Sequence, residues 1–250
     1  MSQRRGYLLM LLSVPVVWVM AVKFAGLPSL TLPPPTLVFR VLFEERMELL
    51  SHTAVTVGEA LLGYLLANVL ALGLAVLIRQ ARSLEAFVTP WTVVLKNVPF
   101  VTIASILTIT LGDTLAPKLI IVVLVCFFPI LANVSKGLDA VDPVLVDRLR
   151  TLHASRWQRF AKAEWPAALP YYMAAHEIAF TGSILGAIIA EWFFARKGLG
   201  YLIIRATTEY RADRLYAVTL IASVLAVGAY ALCRAVEREL LRRRGIEPAS

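Results

Sequence analysis

The sequence predicts an all-α polytopic membrane protein with about six transmembrane helices. Three observations lead there. Hydrophobic residues make up 59% of the 250-residue chain, against about 45–50% in soluble domains, and the mean hydropathy is +0.73. Apolar runs recur at the ~20 residues of helix that a bilayer core requires. The lysines and arginines behind the net charge of +8 fall mostly between and beside those runs, as the positive-inside rule expects. No basic patch with interleaved aromatics stands on a soluble segment, so nucleic-acid binding is not expected.

Taken in order, the first span runs from about Tyr7 to Ala25, after Arg4 and Arg5. It lacks a small-residue cleavage site and reads as an uncleaved helix. Leu32-Pro33-Pro34-Pro35 fixes an extended lead-in. Thr36 to Leu50 follows as an amphipathic surface helix with Val38, Val41, Leu42 and Leu49. The second span, about Ala54 to Ile78, ends at Arg79 and Arg82. Its Gly63, Ala67, Ala71 and Ala75 repeat every fourth residue and invite close helix approach. The third span runs from Phe87 to Leu111, with a turn at Gly112-Asp113-Thr114, and the fourth from Pro117 to Val134. The fifth covers Tyr171 to Phe194 and the sixth Leu215 to Cys233, ahead of a basic tail, Arg238 to Arg244. The whole chain, residues 1–250, reads as a single membrane domain.

Between the fourth and fifth spans lies the longest polar interruption, Gly137 to Pro170. Asp142-Pro143 has the form of an N-cap followed by proline at the first helical position. Leu145, Leu149 and Leu152 then share one face, with Arg148 and Arg150 toward the other. His153-Ala154 breaks the pattern, and Ser155 with Gln158 restarts it as a capping box. Trp157, Phe160 and Ala161 give the second helix an apolar face, which Trp165-Pro166 through Leu169-Pro170 terminate. Two short amphipathic helices joined by a tight bend suit a docking platform for another protein. An ordinary interfacial loop has the same pattern.

Polar residues inside apolar runs need internal partners or a wet path. In the third span these are Lys96, Asn97, Thr102 and Ser105, with Thr108 beyond and Pro99 among them. In the fifth, Glu177, Thr181 and Glu191 share a face beside a small-residue stripe of Ala175, Ala179, Gly182, Gly186 and Ala190. Lys96, Asn97, Thr102, Ser105, Glu177 and Thr181 are read as lining a translocation pathway. The alternative for Lys96 and Asn97 is a structural pair with Glu59 or with a neighbouring subunit. Cys126 and Cys233 sit in apolar runs as small core residues, and the histidines share no metal-ligand spacing, so neither a disulfide nor a metal site is expected.

The chain has no GxxxxGK[ST] phosphate loop, no His-Glu-x-x-His and no G-x-S-x-G. It cannot hydrolyse a nucleotide by the phosphate-loop mechanism, and no catalytic residues are assigned. A transport subunit powered by a docked partner is the favoured reading.

At this point the residues resemble a known family, the membrane permease subunits of binding-protein-dependent ABC importers. The nearest branch is that of the nitrate, sulfonate, taurine and pyrimidine-precursor permeases. Its cytoplasmic loop reads EAA, three residues, Gly, nine residues, Ile, one residue, Leu-Pro. Here Asp147-Arg148-Leu149 stands at EAA, His153 at the glycine, Ala163 at the isoleucine and Trp165-Pro166 at Leu-Pro. Thr151-Leu152-His153-Ala154-Ser155-Arg156-Trp157 follows the family's TLGASRW apart from the histidine. Pro166-Ala167-Ala168-Leu169-Pro170, Ala190-Glu191 and Gly198-Leu199-Gly200-Tyr201-Leu202-Ile203 match as they stand.

The excess of lysines and arginines on the side of the N-terminus and the platform places both termini in the cytoplasm. The resemblance implies an inner-membrane importer subunit. Its coupling helices, within about residues 137–170, seat on a separate ABC ATPase that binds ATP-Mg, while this chain binds no cofactor. The ATPase contact it implies comprises Asp147, Arg148, Leu149, Thr151, Leu152, His153, Ala154, Ser155, Arg156 and Trp157. The implied partners are two ATPase subunits, a second permease chain, an extracytoplasmic solute-binding protein and the bilayer. Loss of the EAA wording and of the glycine leaves open whether the two permease chains are identical. The competing readings are a secondary transporter or channel using the intramembrane lysine and glutamates, and a membrane scaffold.

Overall fold

Backbone amides inside a bilayer must find partners within the chain, and an apolar segment does this alone only as a helix. The computed structural model describes residues 13, 15–24, 26, 28–193 and 195–243, without side-chain detail at Arg82, Thr89, Val93, Leu95, Lys96 and Leu241. Among them there are helices and short connections and no strand. Helix α1 covers Pro15–Phe24. It is followed by α2 (Pro35–Glu44), α3 (Arg46–Gln80), α4 (Arg82–Asn97), α5 (Phe100–Leu111) and α6 (Leu115–Asp139). Next come α7 (Pro143–Thr151), α8 (Arg156–Arg159), a π-helical turn (Phe160–Glu164), α9 (Trp165–Glu191), α10 (Leu199–Thr208) and α11 (Ala212–Arg243).

Four helical segments among the described residues are long and apolar enough to cross a membrane: α3, α6, the continuous rod Arg156–Glu191, and α11. The expected third span is divided. Val98-Pro99 interrupts it between α4 and α5, because proline has no N–H for the helical ladder and pushes its predecessor out of the α region. The first expected span lies largely outside the described residues, with Pro15–Phe24 as its described helix.

Ion pairs fix the helix directions. Arg79, near the end of α3, pairs with Asp139 at the end of α6 and with Glu164 just before α9. At the other end Lys118, early in α6, pairs with Glu59 of α3, and Thr56 of α3 meets Glu191 at the end of α9. So α3 and α6 run in the same sense and α9 against them. The divided α4–α5 segment therefore carries the chain back across once. Arg214, at the start of α11, pairs with Glu45 and Glu48 at the start of α3, which sets α11 parallel to α3.

The core forms where α3, α6 and α9 meet. Ala67, Ala71 and Ala75 of α3 are buried, as are Cys126, Ile130 and Val134 of α6 and Ala175, Ala179 and Ala187 of α9. The small-residue stripes expected from the sequence thus face the partner helix. A Cβ on Gly63 would lie 2.5 Å from Val122 Cβ, and one on Gly182 3.1 Å from Val125. Only small side chains permit that approach. The opposite face of α3 exposes Leu62, Leu65, Leu66, Val69 and Leu70, as an apolar surrounding requires. Helix α2 packs Val38 and Val41 on Ala217 of α11, beside Trp18, and exposes Phe39 and Phe43. This matches the amphipathic surface helix expected there, except that Leu49 belongs to α3 and is buried.

Candidate functional site: a docking platform and two polar clusters

The platform begins where α6 meets α9. A Cβ on Gly137 would fall 2.7 Å from Ala168 Cα, so the two backbones touch there. Asp142 caps α7, accepting from Val144 N at 2.9 Å ahead of Pro143. The helix closes with paired bonds from Ala154 N to Leu149 O and His153 N to Arg150 O, both 2.9 Å. This is a Schellman ending, whose penultimate position requires a left-handed residue. His153 holds it at φ 53. The family's glycine at this place thus has a conformational cause, and the histidine adopts the same backbone.

Ser155 and Gln158 form the predicted capping box, at 3.2 and 2.8 Å. Beyond it the expected stop does not occur. The helix passes Pro166 and Pro170 and continues into α9. The π-helical turn explains this: Trp165 N bonds to Phe160 O, five residues back. The wider turn makes room for the Pro166 ring ahead of the regular helix.

The apolar face of α7 is rotated from the expected one. Val146 is buried against Val141 and Ala163, with Leu149 beside them. Leu145 and Leu152 remain exposed, Leu152 at 76%, together with Val144 and with Trp157 at 68%. The reason is tertiary. Ala163 in the π-helical turn offers a shallow seat that a branched Val146 fills. Arg148, Arg156 and Lys162 are exposed and Arg159 is half-buried, and none has an acidic partner among the described residues. Asp147 is taken by Arg150 at 3.0 Å.

Two links run from the platform into the bundle. Arg79 Nη2 donates to Glu164 Oε1 at 2.9 Å and Nη1 to Asp139 Oδ1 at 3.3 Å, joining α3, α6 and the π-helical turn. An aromatic ladder also leaves Trp157. It stacks on Phe160 at 5.4 Å, then meets Trp165, Tyr172 and His176 in turn. At its inner end Tyr64 of α3 hydrogen-bonds His176, and Tyr172 donates to Asn68 at 3.0 Å.

The opposite end of the bundle holds a polar cluster that sequence reading only partly found. Glu191 is 1% exposed. Its carboxylate accepts from Thr56 Oγ1 and from Gly200 N, each at 2.7 Å. Leu199 N donates to Thr56 Oγ1 at 2.8 Å, and Gly198 N to His52 Nδ1 at 2.9 Å. Three N–H groups opening α10 are thereby satisfied. Gly198, at φ +112, could carry no side chain without striking the Glu191 carboxylate, and Gly200 none without striking Ile188 O. Nearby, Lys118 bridges Glu59 at 3.3 Å and Asp113 at 3.1 Å. Glu59 thus has an ionic partner in Lys118. The available signal was a lysine and a glutamate each isolated in an apolar run. On the rim, Arg205 donates to Glu209 at 2.7 Å and holds its carboxyl below the ordinary value.

The expected pathway residues are dispersed. The Lys96 side chain lies outside the described residues. Asn97 ends α4 and is exposed, as is Thr102 in α5, while Ser105 is half-buried and donates to Val101 O at 2.9 Å. In α9, Glu177 pairs with Arg234 of α11 at 3.1 Å. Thr181, on the same helix, has an enclosed hydroxyl without a hydrogen-bond partner. None of Asn97, Thr102, Ser105, Glu177 and Thr181 lines the cavity of about 450 Å³ between α3, α4 and α6, which is bounded by Arg79, Glu85, Thr92, Ser135 and Asp139 among others.

A family model described as "Binding-protein-dependent transport system inner membrane component" matches residues 64–242. The chain belongs to this family. It is the membrane-spanning permease subunit of an ABC importer, a multi-pass inner-membrane protein. A probable ABC transporter permease of Haemophilus influenzae is 32% identical over 206 residues, covering 82% of this permease and 84% of the relative. The formylaminopyrimidine transport permease ThiX of Halalkalibacterium halodurans is 28% identical over 233 residues, 93% of each chain. A solved structure of the MetNI methionine ABC transporter in an inward-facing conformation has the same fold. It matches at a TM-score of 0.69 and 17% identity, over 78% of this permease and 98% of that chain.

Proposed function

We propose that the permease couples solute passage to a separate cytoplasmic ATPase through the α7–α8 platform, by alternating access. ATP-Mg is bound and hydrolysed on that partner, and this chain performs no covalent chemistry. Its 250 residues work as one transmembrane domain, with residues 137–170 as the cytoplasmic loop and both termini on the same side. The observation that carries this reading is the state of the platform. Leu152 and Trp157 stand 76% and 68% exposed on helices whose ends are already capped, a preformed apolar face in water that a protein partner would cover. Asp147, Arg148, Leu149, Thr151, Leu152, His153, Ala154, Ser155, Arg156 and Trp157 are assigned to that contact.

The Arg79 bridge and the aromatic ladder supply the route by which platform movement reaches the spans. Packed cores move as rigid bodies between discrete arrangements, so a displaced platform would carry α9 with it. A second permease chain completes the pathway, lined by Lys96, Asn97, Thr102, Ser105, Glu177 and Thr181, and a solute-binding protein delivers to the Glu191 end.

The test is purification of the intact permease with the ATPases of its own cell, then ATP hydrolysis and solute uptake in liposomes. A bound ATPase that Leu152→Glu releases, and uptake that needs ATP, are the expected results. Solute movement without ATP, driven by membrane potential, would assign the mechanism to the charged residues within the spans instead.

A further inference from the structure

Behind the exposed edge of the platform lies a cavity of about 590 Å³ that the docking assignment leaves unexplained. Its wall carries Arg79, Arg150, Arg156, Trp157, Arg159 and Glu164. Two of these cations are already neutralised, Arg79 by Glu164 and Asp139 and Arg150 by Asp147. The other two are not. Arg156 has no acidic partner among the described residues, and Arg159 spends one donor on Ala154 O at 3.2 Å. A guanidinium carries five donors in a planar fork suited to carboxylates. Trp157, stacked at 5.4 Å on Phe160, forms a stiff aromatic rim beside them.

We infer that this cavity receives an acidic side chain of the ATPase subunit, so that the platform docks by a cation-to-carboxylate key as well as by its apolar edge. The inference rests on the docking reading above and deepens it. Continuity favours a protein acid as occupant: Arg156 and Trp157 bound the cavity and also belong to the exposed platform that Leu152 extends. Arg150 comes from α7, outside every candidate span, while Arg156 and Arg159 open the rod Arg156–Glu191, so the lipid arms of the experiment separate a headgroup from a protein acid. The remaining charges of the region agree. Arg148 and Lys162 add positive potential, while the acids there are engaged, Asp142 as a helix cap and Asp147 and Glu164 in ion pairs.

The experiment uses the full permease with its co-purified ATPase, in nanodiscs of phosphatidylcholine alone or with phosphatidylglycerol. The Arg156→Glu/Arg159→Glu variant should lower retained ATPase about tenfold or more in both lipids, with Arg196→Glu at the opposite end as the unaffected control. In the Arg156→Lys variant, carbodiimide should join the introduced amine to one carboxylate of the ATPase, with loss of water to the reagent. ATPase retention unchanged by the reversals, with no cross-link, would overturn the cavity's role and leave platform docking standing. Reversals that remove only phosphatidylglycerol from the purified complex would assign the cavity to lipid and overturn the inference. A wild-type permease that retains no ATPase in either lipid would instead remove the docking reading itself.

Discussion

Arg214 and Arg156 both stand at the start of a helix, yet their surroundings are opposite. The Arg214 side chain is 3% exposed and lies between Glu45 and Glu48. Arg156 is exposed and lacks an acidic partner among the described residues. The contrast extends to both regions. At the Glu191 end, carboxylate, hydroxyl and backbone donors close on one another across α3, α9 and α10. At the platform, caps and turns complete the helices locally but leave their outward side chains uncovered. A cluster that satisfies itself is there to hold the fold, because breaking one partner orphans the rest. A region that is locally complete and outwardly unsatisfied is there to be met. The difference predicts that substitutions at the Glu191 end act on folding and those at the platform act on partnership.

The largest effect should come from Gly200. Gly200→Val would drive its side chain into Ile188 O, and steric conflict with backbone belongs to the class costing more than about 4 kcal/mol. The variant should fail to give a monodisperse, folded permease on detergent extraction, and normal thermal unfolding would refute the packing described at α10. Glu191→Ala ranks next. It strips acceptors from Thr56 Oγ1 and Gly200 N, at about 1–3 kcal/mol for each buried group left unpaired. Glu191→Gln keeps one acceptor oxygen and should lose less. Thermal unfolding, with hydrogen exchange at Gly198 to Gly200, would separate the two.

What the sequence revealed follows the range of the forces involved. Asp142-Pro143 and Ser155 with Gln158 were legible because a cap needs only residues two or three apart. The left-handed turn at His153 was legible through the family's glycine at that place. The burial of Val146 in preference to Leu145 and Leu152 was not, because Ala163 and Val141 decide it from outside α7. The run through Pro166 and Pro170 was hidden too, since a π-helical turn gives no periodic signal in so short a stretch. Glu191 was visible as a charge near a span end and within the family match at Ala190-Glu191, but not as the centre of a cluster. Its meaning depends on Thr56, 135 residues away, and on two glycines whose spacing suits a carboxylate beneath them.

The comparison is sharpened by a feature that both ends share. Helix α10 also closes with a Schellman ending, Arg211 N to Ala206 O at 2.8 Å and Tyr210 N to Thr207 O at 3.2 Å, and Tyr210 sits at φ 56. Left-handed backbone costs a side-chain-bearing residue about 1 kcal/mol relative to glycine. His153→Gly and Tyr210→Gly should therefore each raise stability by a similar amount in thermal unfolding. A gain at one site alone would mean that the other residue makes a compensating contact.

The smallest effect on the chain should be the most consequential for coupling. Trp157→Ala removes a ring that is 68% exposed and whose loss opens no buried cavity. Surface substitutions of this kind stay within about 0.5 kcal/mol, so the unfolding temperature should hardly move. Retention of the ATPase should fall all the same, because an exposed aromatic at the centre of a contact is the type of side chain on which binding energy concentrates. If Trp157→Ala instead unfolds the permease while leaving ATPase retention intact, the ladder through Phe160 and Trp165 is a structural spine. The platform would then resemble the Glu191 end, a region completed from within.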